Sequence, residues 1–287
     1  MAIAKIVVPV AGVARDAMAL AAALTVAKPF NAHVRAVFAH PDPQEAVPNV
    51  GVPLSLEAVS AIIDGQEQVA KAGAIAARAS LAEAASKAGV KVTSAPQKTP
   101  AVTCSFREAT GRLPSVIAAA TQLSDLVVFG PLHSPEFADM MEAFLDVLTK
   151  TGRPVLVAPR EPLGQFARHV AVGWDGSVSA SRALIAAMPL LAIAKTVTLL
   201  CVREGATPMG TADAKEYLSL HGLSCVENSC GAEKRPVGDA LADAAQGCGA
   251  DLLVLGGYGH SHLRETIFGG VTSSILSRAT IPVFLTH

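Results

Sequence analysis

The sequence predicts an α/β protein of two tandem doubly wound domains, each a five-stranded parallel sheet with helices on both faces. Three observations predict it. The chain repeats itself: KIVVPV (5–10), SDLVVFGP (124–131) and RPVLVAP (153–159) recur in the same order as RHVAVGW (168–174), ADLLVLGG (250–257) and IPVFLTH (281–287). Within each half, short β-branched runs alternate with longer Ala-rich segments, the signature of βα units. The strand runs are continuously apolar rather than alternating, as expected where helices cover both faces of a sheet.

Taken in order, the first half offers strands near 5–10, 33–39, 90–95, 125–130 and 154–159. Between its second and third strands lies an irregular loop, 40–53, with four prolines, followed by a long Ala-rich helix over 56–88. Met140, Met141, Phe144 and Leu148 have helical spacing and face the core. REPLGQFA (160–167) reads as the linker and sets domains at 1–160 and 161–287. The second half offers strands near 168–173, 196–202, 223–228, 251–256 and 282–286, and helices near 178–190, 211–221, 237–248 and 270–279. Ser177 or Ser179 caps the first of these helices. The closing strands of the halves, VLVAP (155–159) and VFLT (283–286), are apolar sheet edges that need cover. Paired antiparallel, they would join the halves as a pseudo-dimer within one chain.

Composition narrows the function classes. The 287 residues carry 23 Lys plus Arg against 24 Asp plus Glu, with no basic run and only 4% aromatics, which argues against a nucleic-acid partner. The longest apolar runs fall short of a membrane span, and no signal peptide is apparent, so a cytoplasmic protein is expected. Five scattered cysteines without a CxxC pair suit reduced thiols, and Cys201 reads as core. The histidines show no metal-ligand spacing; His260 and His262 are two apart on a loop and would need distant partners. There is no Gly-x-Ser-x-Gly elbow. No residue is placed as a general base, so efficient catalysis is not expected and turnover of a bound nucleotide would be slow or absent.

A sheet of this class binds ligands beyond the carboxyl ends of its strands, where strand order reverses. After the fourth strand of the second half comes GGYGHSHLRETIFGGVTSS (256–274). Glycines let a backbone approach a ligand closely, and the N–H groups opening a helix attract an anion. Gly256, Gly259, Gly269 and Gly270, with Val271 and Thr272 at the helix start, therefore form a plausible phosphate cradle. A ligand-free strand-to-helix turn would have the same spacing. The pattern is neither a Walker A loop nor a dinucleotide fingerprint, since position 262 is His.

Gly256, Gly259 and Gly269 resemble the G-x2-G-x9-G-[S/T] motif of ATP-binding universal stress proteins. The hydroxyl residue that normally follows is Gly270 here, which leaves only its backbone N–H. By the same resemblance Asp175, in GWDGS after the first strand, takes the acidic position near base and ribose. Val202, at the end of the second strand, takes the position whose backbone reads adenine. Trp174, directly after the first strand, packs beside that pocket or at an interface, with stacking on a base as a further use. The resemblance implies an adenine nucleotide, ATP, ADP or AMP with or without Mg2+, bound in the second half. It implies a role in stress response or signalling through conformation or partner choice, and a homodimer is compatible with it. The alternative is a nucleotide-free dimerisation or interaction scaffold. The first half departs from the motif: Gly12 stands for Asp175, Gly130 survives, His133 stands for Gly259, and Glu136, Asp139 and Glu142 would repel phosphate. It reads as a degenerate site.

Overall fold

A computed structural model gives the fold and describes residues 2–43, 55–96, 99–132, 138–203, 210–231, 236–257, 275–276 and 278–287. The first half contributes β1 (Lys5–Val10), α1 (Asp16–Ala27), β2 (His33–His40), α2 (Leu56–Ala88), β3 (Lys91–Val92), β4 (Thr103–Thr110), α3 (Leu113–Thr121), β5 (Leu126–Phe129), α4 (Ala138–Asp146) and β6 (Val155–Val157). The second contributes β7 (His169–Gly173), α5 (Val178–Ala186), α6 (Met188–Leu191), β8 (Thr196–Arg203), α7 (Thr211–Leu220), β9 (Cys225–Gly231), α8 (Val237–Gly247), β10 (Leu252–Gly256) and β11 (Val283–Thr286).

All strands join one 11-stranded sheet in the order β3-β4-β2-β1-β5-β6-β11-β10-β7-β8-β9. Every pairing is parallel except that of β6 with β11, which matches Val157 with Val283, Leu156 with Phe284 and Val155 with Leu285. All six of these side chains are buried. In each half the first strand, β1 or β7, is flanked by the second on one side and by the strand after the third helical segment on the other. Strand order therefore reverses at β1 and again at β7. One face of the sheet packs against α1, α2, α5, α6 and α7, through Leu20, Leu24, Leu81, Leu184, Leu190 and Leu218. The other packs against α3, α4 and α8, through Ile117, Phe144 and Leu241. Both cores run across the β6–β11 seam.

Two aspartates pin the halves alike. Asp125 Oδ2 accepts from the N–H groups of Ala4 and Lys5 at 2.8 and 2.9 Å. Asp251 accepts from those of Arg168 and His169, at 3.1 Å each. These bonds fix the register in which Lys5 corresponds to His169.

Three sequence expectations need correction. The third strand of the first half is not 90–95. Only Lys91–Val92 pair there, and the strand beside β2 is the eight-residue β4, so this half has six strands rather than five. TCSFREAT near a sheet edge is partly exposed and polar, so it lacks the apolar run by which its neighbours are recognised. The helix expected at 178–190 breaks at Ala187, because Pro189 has no N–H to continue the ladder and instead sits in the first turn of α6. Cys201 is half-buried rather than fully enclosed. Met140, Phe144 and Leu148 are buried as their spacing predicts. Of the helix expected at 270–279, the described residues 275, 276 and 278 are helical.

Candidate functional site at the carboxyl end of the second half

The site is built on three neighbouring strands. Val254 of β10 pairs with Val172 of β7, and Gly173 of β7 pairs with Leu200 of β8. This register puts Gly256, Asp175 and Val202 at one end of the sheet, around the strand-order reversal. Neighbouring strands are about 4.8 Å apart, so the span from β10 to β8 is about 10 Å. Gly259, Gly269, Gly270, Val271 and Thr272, with His260 and His262, lie outside the described residues.

Past β7 the chain turns through Gly176 at φ +75°, a conformation that favours glycine. Asp175 Oδ1 accepts from the Ser177 N–H at 2.9 Å, and Ser177 Oγ accepts from the Ala180 N–H at 3.1 Å. Ser177 is thus the cap of α5. The Asp175 side chain remains exposed, able to meet a ligand's donors. Gly256 is held by packing: a Cβ there would lie 2.6 Å from the Ala180 N and the Ser179 O. The first turn of α5 therefore rides directly on the end of β10. Trp174 is buried in the core, its indole N–H without a partner among the described residues, so its faces pack on side chains rather than on a base. Further out, on the edge strand, Glu227 of β9 accepts from Lys215 Nζ at 2.6 Å and Thr211 Oγ1 at 2.7 Å, tying the start of α7 to that strand. These bonds hold the exposed Glu227 carboxyl below the usual range.

The first half closes the same region with its own groups. Register places Ala11, not Gly12, opposite Asp175, and pairs Gly12 (φ +76°) with Gly176. Asp16, 2% exposed, turns its carboxylate back into this turn. It accepts from the N–H groups of Ala11 (3.0 Å), Gly12 (2.7 Å) and Val13 (3.2 Å). Burial raises its pKa, and the three backbone N–H groups oppose that rise. Its counterpart in α5 is Ala180. Helix α2 then covers the turn: a Cβ on Gly12 would lie 2.7 Å from the Cα of Gly73. Further along α2, Arg78 stacks over the Phe106 ring at 4.7 Å and pairs with Glu108, which also accepts from His40 Nε2 at 2.8 Å. Sequence reasoning missed Asp16 and Gly73. The one available signal was an acidic residue in the first turn of a helix that follows a glycine turn. His133 and Glu136 lie outside the described residues, whereas Asp139 and Glu142 lie on α4, where Glu142 pairs with Arg112 at 3.0 Å.

Among the described residues no cluster of His, Cys, Asp and Glu could hold a metal, and no helix is long and apolar enough to cross a membrane.

Residues 226–287 match the model of the Universal stress protein family. Over nearly the whole chain the fold matches that of a universal stress protein from Archaeoglobus fulgidus DSM 4304, with a TM-score of 0.63 and 15% identity, covering 98% of this chain and 95% of that one. A putative universal stress protein from Pseudomonas aeruginosa UCBPP-PA14 matches with a TM-score of 0.55 and 14% identity over 99% and 93% of the two chains. The cytoplasmic domain of a prokaryotic cation chloride cotransporter matches with a TM-score of 0.50 and 11% identity over 98% and 94%. No curated protein matches the sequence. With β7 to β11 repeating the order of the first half and residues 226–287 carrying the family's sequence pattern, the chain has the universal stress protein fold from end to end.

Proposed function

We propose that this chain is a nucleotide-binding module that takes one adenine nucleotide, ATP or AMP, in its second half and acts through conformation or partner choice. The observation that carries the reading is the contrast between the two strand-order reversals. At β1 the turn is filled by the Asp16 carboxylate and covered by α2. At β7, Ala180 stands where Asp16 would, and Asp175 is exposed beside Val202 and Gly256. Asp175 would accept from the ribose hydroxyls or base, the Val202 backbone would read the adenine edge, and the glycine segment with Val271 and Thr272 would receive phosphate. Residues 1–160 and 161–287 would act as two domains, a closed one and a ligand-responsive one, joined as an intrachain pseudo-dimer.

Calorimetric titration with ATP tests this. One nucleotide per chain is expected, with Asp175→Ala weakening binding about tenfold, the loss of hydrogen bonds to a charged acceptor. Gly259→Val should weaken it further, because a β-branched side chain would obstruct the phosphate proposed to lie against that backbone. A stoichiometry near two that Asp175→Ala does not lower, or unchanged affinity in both variants, would sink the assignment. No binding at all would favour the second reading, a nucleotide-free interaction scaffold. The closed first half favours that reading, since its strand-order reversal is filled by its own Asp16 side chain and covered by α2. Nucleotide released from freshly purified, denatured protein separates the two.

A further inference from the structure

The halves share a strand lattice, so each position in one has a counterpart in the other. On the face covered by α3, β1 presents Lys5 and Val7, β2 presents His33, Arg35 and Val37, and β4 presents Thr103, Ser105 and Arg107. Lys5, Arg35 and Arg107 form a diagonal, each one strand over and two residues along from the last. By strand geometry successive Cα atoms on it are about 8 Å apart, within joint reach of long cationic side chains. None of the three has an ion-pair partner among the described residues. Lys91 of β3, in register with Thr103, adds an exposed cation at the sheet edge on the same face.

Uncompensated like charges on one sheet face are unfavourable. Burial and mutual repulsion lower the pKa of both Lys5 and Arg35. Asp125, whose charge favours the protonated form of Lys5, already accepts from two backbone N–H groups. Nor does the fold require cations here. The counterparts of Lys5, Arg35 and Arg107 in β7, β8 and β9 are His169, Thr198 and Asn228. There His169 Nε2 simply hydrogen-bonds Thr198 Oγ1 at 2.9 Å. Under the cationic diagonal, His33 is buried with both ring nitrogens held, at 2.8 Å, by Thr103 Oγ1 and Ser105 Oγ, a fixed polar floor.

We propose that Lys5, Arg35 and Arg107 form a binding site for an anion of linked phosphoryl groups, on the sheet face of the first half and apart from the second-half site. Two guanidinium forks grip oxyanions bidentately, and a diagonal of three cations suits a chain of phosphates better than a single one. A free condensed phosphate and the polyphosphate tail of a nucleotide share this chemistry.

The test is calorimetric titration of the full chain with inorganic tripolyphosphate, orthophosphate and ATP, at low and moderate salt. Tripolyphosphate should bind at one site, more tightly than orthophosphate, with affinity falling as salt rises. Arg35→Gln with Arg107→Gln should weaken it at least tenfold. Arg107→Gln alone, an exposed position on a strand near the edge, should weaken it severalfold without bearing on folding. The control pair Lys28→Gln with Lys195→Gln should leave it unchanged. Tripolyphosphate binding lost in the Arg variants assigns a free phosphate chain. ATP binding lost in those variants, with no tripolyphosphate binding, assigns a nucleotide tail. Binding of neither that the Arg variants weaken, or an equal loss in the control pair, overturns the proposal. Asp175→Ala should leave the tripolyphosphate titration untouched, which keeps this outcome separate from that of the nucleotide site.

Discussion

Gly12→Ala should be among the most damaging single-methyl additions available in the first half, and its cost can be worked from two contributions. Gly12 has φ +76°, where an alanine is disfavoured by about 1–2 kcal/mol. The added Cβ would also lie 2.7 and 2.8 Å from the Cα and C of Gly73. These are backbone atoms of a 33-residue helix, which cannot swing aside as a side chain can. Overpacking of that kind adds about 1–3 kcal/mol, so the total is about 2–5 kcal/mol. Gly89→Ala supplies the control. It has nearly the same dihedral, φ +67°, and nothing within 4 Å of its added Cβ, so only the conformational cost applies. Urea denaturation of both variants, read as the shift in midpoint at constant slope, measures the difference. Gly12→Ala should exceed Gly89→Ala by at least 1 kcal/mol. Equal shifts would mean that α2 does not bear on the β1–α1 turn, and the account of a first half closed by its own helix would fail.

Two further outcomes follow from buried polar groups. His33 has its pKa lowered to about 4, first by burial and then by Arg35 and Lys5, so the folded protein holds it neutral. Below pH 6.5 the unfolded chain gains a proton that folded His33 refuses. Stability should therefore fall between pH 6.5 and about 4, by about 3 kcal/mol at 1.36 kcal/mol per pH unit. Urea midpoints across that range should fall less steeply in His33→Gln than in the wild type, and parallel curves would refute the assignment. Asp16→Ala removes the acceptor from the N–H groups of Ala11, Gly12 and Val13 and should cost about 2–3 kcal/mol, whereas Asp16→Asn keeps one oxygen and should cost less. Identical denaturation midpoints for the Ala and Asn variants would show that those bonds contribute nothing.

Much of the fold was legible because strands buried on both faces must be continuously apolar. Runs such as IVVPV, LVVF and LLVL can be read without a partner in view. The same rule explains the miss at β4. A strand near the edge of a sheet, with Arg107 and Glu108 exposed, does not obey it, and its register with β2 is set by pairing rather than by composition. At the site, the glycine at 256 was legible but its reason was not. Spacing suggested a phosphate, whereas the described structure gives Gly256 the close approach of α5. Gly12 was set against Asp175 by the order of residues, and only the strand register shifts the match to Ala11 and Gly176. The Gly12–Gly73 contact joins residues separated by the proline-rich loop and the start of α2, a distance no local pattern reports.

The antiparallel β6–β11 seam bears on how the halves could influence each other. A parallel sheet edge as apolar as VLV or VFLT must be covered, and here each covers the other with no third element. The cores above and below the seam are continuous: Phe144 and Leu148 share a cluster with Ile275 and Leu276, and Gly257 stands near Leu148, 3.6 Å from its added Cβ. Gly257 directly follows β10, whose end forms part of the candidate site, while Leu148 follows the α4 helix of the first half. A ligand that moved the end of β10 would press on the first half through packed side chains rather than through a flexible linker. A rigid first half, held shut by Asp16 and α2, is the kind of platform against which such a displacement can be transmitted, because a close-packed core repacks between discrete arrangements instead of yielding gradually.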